Sequence, residues 1–213
     1  MDPIDRSAFV TACHTAFSLA SRPEVAKAWN NESACAGMTV GGLAHHLLAQ
    51  ASHVVNALDT PPSSEAPIAL LDHYAEADWV KAGPDDEANL SIRQKADESA
   101  TDGHATVLAQ AARALAHLPE VLAEPRSPDY VHIPWQGWSL TTDDFLATRS
   151  MEVVVHSDDL AASIGQSLPE FPDTIVEHVV HLLAGVALRR HGQEAVIRTL
   201  SRPQRAPSSA SAF

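Results

Sequence analysis

Cysteine is nearly missing from this chain, with only Cys13 and Cys35 in 213 residues. The pair forms no CxxC motif, so a disulfide framework is excluded, and both thiols read as structural or incidental in a reducing cytoplasm. Bases are scarce as well. Lysine and arginine number 14 against 27 aspartates and glutamates, for a formal charge of −13 and a pI near 5.2. A phosphate backbone would be repelled by that balance, and no basic cluster offsets it, so nucleic acid is excluded as a partner. No apolar run approaches the roughly 20 residues that span a bilayer, and the N-terminus lacks the apolar core of a signal peptide. The expectation is a cytoplasmic protein with no membrane partner.

Strand patterns are also lacking: no alternation of useful length occurs, while helical periodicity is widespread. At 213 residues, 45% of them hydrophobic, the chain can bury a sizeable core as one domain. Segment 4–20 sets Phe9, Val10, Cys13, Phe17 and Ala20 at spacings of three and four. A second helix is predicted over 39–58 with Thr39 as its cap, followed by a proline-rich loop over 59–67. A shorter helix covers 68–82, and GPDDE at 83–87 breaks it. A long helix then runs from about 86 to 118, and 119–140, with four prolines and two tryptophans, reads as an irregular crossover. Thr141 with Asp144 resembles a capping box and opens the next helix. Leu168–Pro172 interrupts, 173–191 is amphipathic, and 201–213 is an irregular tail after one domain over 1–200. Four principal helices with long crossovers and additional short helices imply an all-α bundle.

One stretch of the helix after Thr141, RSMEVVVHSDDLA at 149–161, carries chemistry. Its valines favour a strand, but β-branching lowers helix propensity by only tenths of a kcal/mol per residue, and the flanks are helical. Four residues span about 6 Å along a helix and about 13 Å along a strand, so only the helix brings the tips of Glu152 and His156 onto one ion. On a helical wheel Arg149, Glu152, His156 and Asp159 share an arc of about 80°. Leu146, Val153, Leu160 and Ile164 flank it on one side, and Met151 and Val155 on the other. Ala147, Ser150, Ser157 and Asp158 lie opposite, on the arc expected to face solvent. Ionisable groups thus occupy the middle of the buried face, where they need partners, a metal or water. A metal site and a buried network such as Arg149–Glu152 account for this pattern equally well.

A metal would need a further ligand from a neighbouring helix. Twelve histidines are available. In segment 38–58, His46, Gln50 and His53 form one stripe beside Leu43, Leu47, Val54 and Leu58, while His45 lies further round. The wheel favours His46 over His45 only slightly. His14, His73, His104, His117, His132, His178, His181 and His191 have no partners at ligand spacing and are assigned no role.

MTVGGLAHHLLAQ and DDFLATRSMEVVVHSDDLAAS resemble two signature regions of the mycothiol-dependent maleylpyruvate isomerase family, which belongs to the DinB-like metal-binding four-helix bundles. Its first motif, W-T-V-x-D-L-x-x-H-L, sets a metal-binding histidine at His46, with Met38 replacing the tryptophan and Gly42 the aspartate. Its second, R-x-x-E-x-x-x-H-x-x-D-L, is matched by Arg149, Glu152, His156, Asp159 and Leu160. The resemblance extends over nearly the whole chain, including DGHA at 102–105 and the closing RTLSRPQRAPSSASAF. It implies a divalent-metal site of His46, Glu152 and His156, with zinc or nickel as occupant. It also implies mycothiol as cosubstrate, whose metal-activated thiolate isomerises a small electrophile or is transferred to it. Arg149 is then expected to pair with Glu152 or with an anionic substrate group, and Asp159 to orient a histidine. His53 is a candidate for contact with the site, and Trp135 and Trp138 for the wall of the pocket mouth. The isomerase that names the family carries a further C-terminal domain, whereas this chain ends soon after its last predicted helix, which points away from maleylpyruvate itself. Two other readings use the same residues: a metal-dependent hydrolase working through activated water, and a non-catalytic, stress-associated metal-binding bundle. Either a monomer or a homodimer fits the sequence.

Overall fold

Local capping explains where the main helices begin. In the computed structural model, which describes residues 3–83 and 86–213, Asp5 accepts hydrogen bonds from the Ser7 and Ala8 N–H groups at 2.9 and 3.1 Å and opens α1 (Arg6–Ala20). After the short α2 (Pro23–Ala28), Thr39 accepts from the Gly42 N–H at 2.9 Å and starts α3 (Val40–Asp59). Short helices α4 (Leu70–Glu76) and α5 (Asp78–Lys81) follow, then α6 (Glu87–Ser99) and α7 (His104–Ala123). A hairpin of β1 (Tyr130–Ile133) and β2 (Trp138–Thr141) leads into α8 (Thr142–Ser163), where Thr141 Oγ1 accepts from the Asp144 N–H at 3.0 Å. The last long helix is α9 (Asp173–Ser201).

Helices α1, α3, α7 and α8 form the bundle, each packed against at least two of the others around a core that includes Phe9, Leu43, Leu47, Leu118, Leu146 and Leu160. Helix α6 lies on α3, and α9 on α8. The fold is the all-α, DinB-like bundle that the sequence predicts. No helix is long and apolar enough to cross a membrane among the described residues.

Several boundaries differ from expectation. The helix predicted over 86–118 is two helices, divided at Gly103, whose φ of +87° is left-handed and easiest for glycine. Long-range contacts hold this break: Trp29 Nε1 donates to the Ala100 carbonyl at 3.1 Å, and the His104 ring lies 2.8 Å from the Ala20 carbonyl. Helix α7 then continues through Pro119 to Ala123, and Arg6 donates to the Leu122 carbonyl at 2.8 Å. The helix predicted over 68–82 is divided at Ala77, whose backbone is extended. In the predicted break at 83–87, Pro84 and Asp85 lie outside the described residues.

The supposedly irregular crossover contains the antiparallel hairpin, with Val131 opposite Leu140 and Ile133 opposite Trp138. Val131, Ile133 and Leu140 are buried while His132 is exposed, but four-residue strands are too short to show that alternation clearly. Helix α9 runs past the predicted end at 191, across a kink at Gly192 with φ +79°. The final residues fold back, with the Phe213 ring 5.2 Å from Trp79 and 5.7 Å from Tyr74.

The α8 arc expected to face solvent is also different. Ala147, Ser150 and Ser157 are buried, because α1, α3 and α9 all pack against this helix. Small side chains suit such close neighbours, and Ser150 Oγ satisfies itself by donating to the Leu146 carbonyl at 2.8 Å.

Glycine matters most at the start of α3. A Cβ on Gly42 would lie 2.0 Å from Asp97 Oδ1, a carboxylate reaching in from α6. That oxygen accepts from the Thr39 N–H at 3.0 Å and the Thr39 hydroxyl at 2.6 Å. A negative charge is thereby set at the N-terminus of α3, where the helix dipole favours it. We expect Gly42→Ala to destabilise the protein by about 1–3 kcal/mol through overpacking and displacement of Asp97. In an Asp97→Ala background the sign should reverse, because alanine is the better helix former by roughly 1 kcal/mol. Chemical denaturation of the four proteins in this cycle measures both effects.

Candidate metal centre

Side-by-side packing of α3 and α8 brings three separated residues together. Glu152 and His156 stand one turn apart on α8, and His46 faces them from α3. Glu152 Oε2 lies 3.1 Å from His156 Nε2 and 3.2 Å from His46 Nε2. The two imidazole rings are 4.9 Å apart and nearly perpendicular, at 86°. Ligand-capable atoms of all three residues lie within 4.8 Å of one another. Their side chains are only 13–22% exposed, so solvent reaches the group but does not surround it. Two imidazoles and a carboxylate are the ligand types that catalytic divalent-cation sites use while leaving positions open.

Electrostatics bind this group tightly. Burial pushes the Glu152 carboxyl up, but hydrogen bonds with His156 and His46, helped by the charges of His156 and Arg149, hold it well below its usual range. Burial pulls His156 down, yet its hydrogen bonds with Asp159 and Glu152 and their charges raise it to about 9. Asp159 Oδ2 lies 3.0 Å from His156 Nδ1, on the ring edge turned away from Glu152.

Of the two partners expected for Arg149, Glu152 is not the one it bonds. It donates to Gln50 Oε1 at 2.7 Å and to Thr148 Oγ1 at 3.0 Å, and no ion pair joins it to Glu152 among the described residues. Its guanidinium carbon also sits 5.5 Å from the centre of the Phe145 ring. Gln50 is wholly buried, and its other end donates to the His46 carbonyl at 2.8 Å. A glutamine that reads as one more member of the His46 stripe is therefore the link between Arg149 and the backbone of His46.

Of the remaining candidates, the His53 ring lies 5.8 Å from that of Trp135 at a tilt of 50°, and Trp135 is 62% exposed. Burial, then the charge of Arg149, lowers His53 to about 4. Trp138 donates through Nε1 to His73 Nδ1 at 3.0 Å. His45 is apart from the three-residue group, and its Nδ1 is buried without a hydrogen-bond partner among the described residues.

Two residues given no role by spacing stand out. His73 is 4% exposed and kept neutral, lowered to about 4 by burial and then by Arg149. Cys35 lies with His156 and Asp159 in a second group whose ligand-capable atoms are all within 4.8 Å. Burial pushes its thiol up, and the neighbouring Asp159 carboxylate adds to that. The other thiol, Cys13, is in the core and is pushed up to about 12 by burial. Neither His73 nor Cys35 carries a local signal, since their partners are far away in sequence.

A helical bundle with such a centre between two of its helices is of the DinB-like class. The family described as mycothiol maleylpyruvate isomerase N-terminal domain matches residues 10–161, and the chain belongs to that family. The match covers α1 through most of α8, with all of the residues just described, and leaves α9 outside, so it is narrower than the near-complete resemblance expected. No curated protein and no solved structure matches the chain significantly.

The buried histidines set a pH dependence. Because folding lowers His53 and His73 to about 4, their contribution is full above about pH 6.5 and is lost as the pH falls toward 4. Each group should remove on the order of 1.4 kcal/mol per pH unit within that window. Denaturation at pH 7 and pH 5 should show a smaller acid loss for His73→Phe than for the wild type. In the metal-free protein His156 acts in the opposite sense. Its contribution is present below about pH 6.5 and is lost as the pH rises through about 9.

Proposed function

We propose that this protein is a cytoplasmic, metal-dependent enzyme that uses mycothiol as cosubstrate and acts on a small anionic electrophile, by isomerisation or by S-transfer. The observation that carries the reading is the convergence of His46, Glu152 and His156 from two helices, in a chain whose family is described by mycothiol and isomerisation. A divalent cation, zinc or nickel, held by these three residues would favour the thiolate form of a thiol bound beside it, which is the reactive form.

The chain's own residues supply the rest. Asp159 accepts the Nδ1 proton of His156, which leaves Nε2 as the ligating nitrogen and fixes the ring. Gln50, buried and anchored on the His46 carbonyl, holds the Arg149 guanidinium in one place. Arg149 is already permanently charged and has donors left over, so it suits a carboxylate on the electrophile. Trp135, exposed beside His53, supplies an apolar wall at the entrance.

Turnover of a carboxylate-bearing electrophile should require both metal and mycothiol, as followed by loss of free thiol or by product formation. Glu152→Gln and His46→Ala should each lower activity by at least about a hundredfold, along with metal content. Turnover that persists without thiol would replace this reading with hydrolysis. Absence of bound metal in the wild type would end it. Arg149→Lys should raise KM for the anionic electrophile by about tenfold or more, while affecting a neutral one much less. Metal affinity should rise roughly tenfold per pH unit as His156 loses its proton, up to about pH 9. Calorimetry in buffers of different ionisation enthalpy would count the released proton.

A further inference from the structure

The sequence assigns Cys35 no role, yet the loop that carries it is fixed with care. Its turn is closed by Ser33 N–H to the Met38 carbonyl at 2.9 Å and by Met38 N–H and Ser33 Oγ to the Cys35 carbonyl at 3.2 and 3.0 Å. Arg93 of α6 donates to the Ala36 carbonyl at 2.9 Å. A further bond joins the loop to α8, where the Ala34 N–H donates to Ser163 Oγ at 2.8 Å and that hydroxyl donates to the Asp159 carbonyl at 2.6 Å. Cys35 is therefore tied to the turn of helix that carries Asp159.

The result is a second group of ligand-type atoms, with sulfur from Cys35, nitrogen from His156 and oxygen from Asp159, all within 4.8 Å of one another. Both groups share His156. Its Nε2 lies 3.1 Å from Glu152, in the first group, and its Nδ1 3.0 Å from Asp159, in the second. Thiolate, imidazole and carboxylate at such separations suit zinc, and the anionic ligands offset its charge.

We propose that Cys35, Asp159 and His156 Nδ1 form a second cation site, selective for a thiophilic divalent ion such as zinc, with the His156 ring, as imidazolate, bridging it to the first centre. No electron transfer is involved. The Cys35 thiol and His156 Nδ1 each release a proton to solvent, and the sulfur and nitrogen lone pairs form the new bonds. Asp159 turns from accepting the Nδ1 proton to ligating. The site goes beyond the catalytic reading above, sharing His156 with it and giving Asp159 a second role.

Cobalt(II) titration of the purified full-length protein tests this. About two equivalents per chain are expected to bind, with a near-ultraviolet thiolate-to-cobalt charge-transfer band. Cys35→Ser should abolish the band and leave about one equivalent. Asp159→Asn, which keeps the thiol, should also lose the second equivalent. His46→Ala should weaken the first site and retain the band, which separates this proposal from the catalytic one. A single equivalent in the wild type, with or without the band, overturns it. So does a band that survives Cys35→Ser, or one that disappears with His46→Ala.

Discussion

A carboxylate held inside a helical bundle between two imidazoles governs much of this structure. Removing Glu152 from water would cost several kcal/mol if it stood alone. His156 and His46, at 3.1 and 3.2 Å, offset that cost, and the raised proton affinity of His156 reflects the same attraction. The geometry demands that α3 and α8 lie side by side in one axial register. It also demands that residues 149–161 be helical, since a strand would separate Glu152 from His156.

The same constraint extends outward through polar contacts. Gln50 ties Arg149 to the backbone of His46, and Asp159 holds the far edge of His156. Around this interior, α9 and the hairpin cover α8 on sides that a four-helix bundle alone would leave open. A protein with net charge −13 thus sets the charge of a cation, Arg149, to act on the confined Glu152. Neighbouring histidines respond to that field, which is one reason His53 and His73 remain neutral.

What could be read from the sequence was what depends on near neighbours. Thr39 and Thr141 announce helix starts because a cap acts within three residues. Glu152 and His156 are readable because helical spacing alone brings them together. His46 needed the family motif, since nothing local separates it from His45. The hidden features all depend on contacts across the chain. Gly103 interrupts a helical pattern where Trp29 and Ala20 supply outside partners. The buried arc of α8 needs α1 and α9 in place, and β1 and β2 are too short to show their alternation. Helical spacing offers Arg149 only Glu152 on its own helix, whereas the guanidinium reaches Gln50, 99 positions away. His73 finds Trp138 after 65 positions.

Gly42 and Asp97 show how a motif can be kept in space while it is lost in sequence. The family pattern has an acid at the position of Gly42. Here the space above that glycine is filled by a carboxylate borrowed from α6, which bonds Thr39 instead. The two positions hold one negative charge between them, and there is no room for a second. Relatives should therefore divide into those that carry the acid on α3 and those that lend it from α6. A motif search that reads only α3 undervalues such a chain, although the entrance of the helix that carries His46 has its acid.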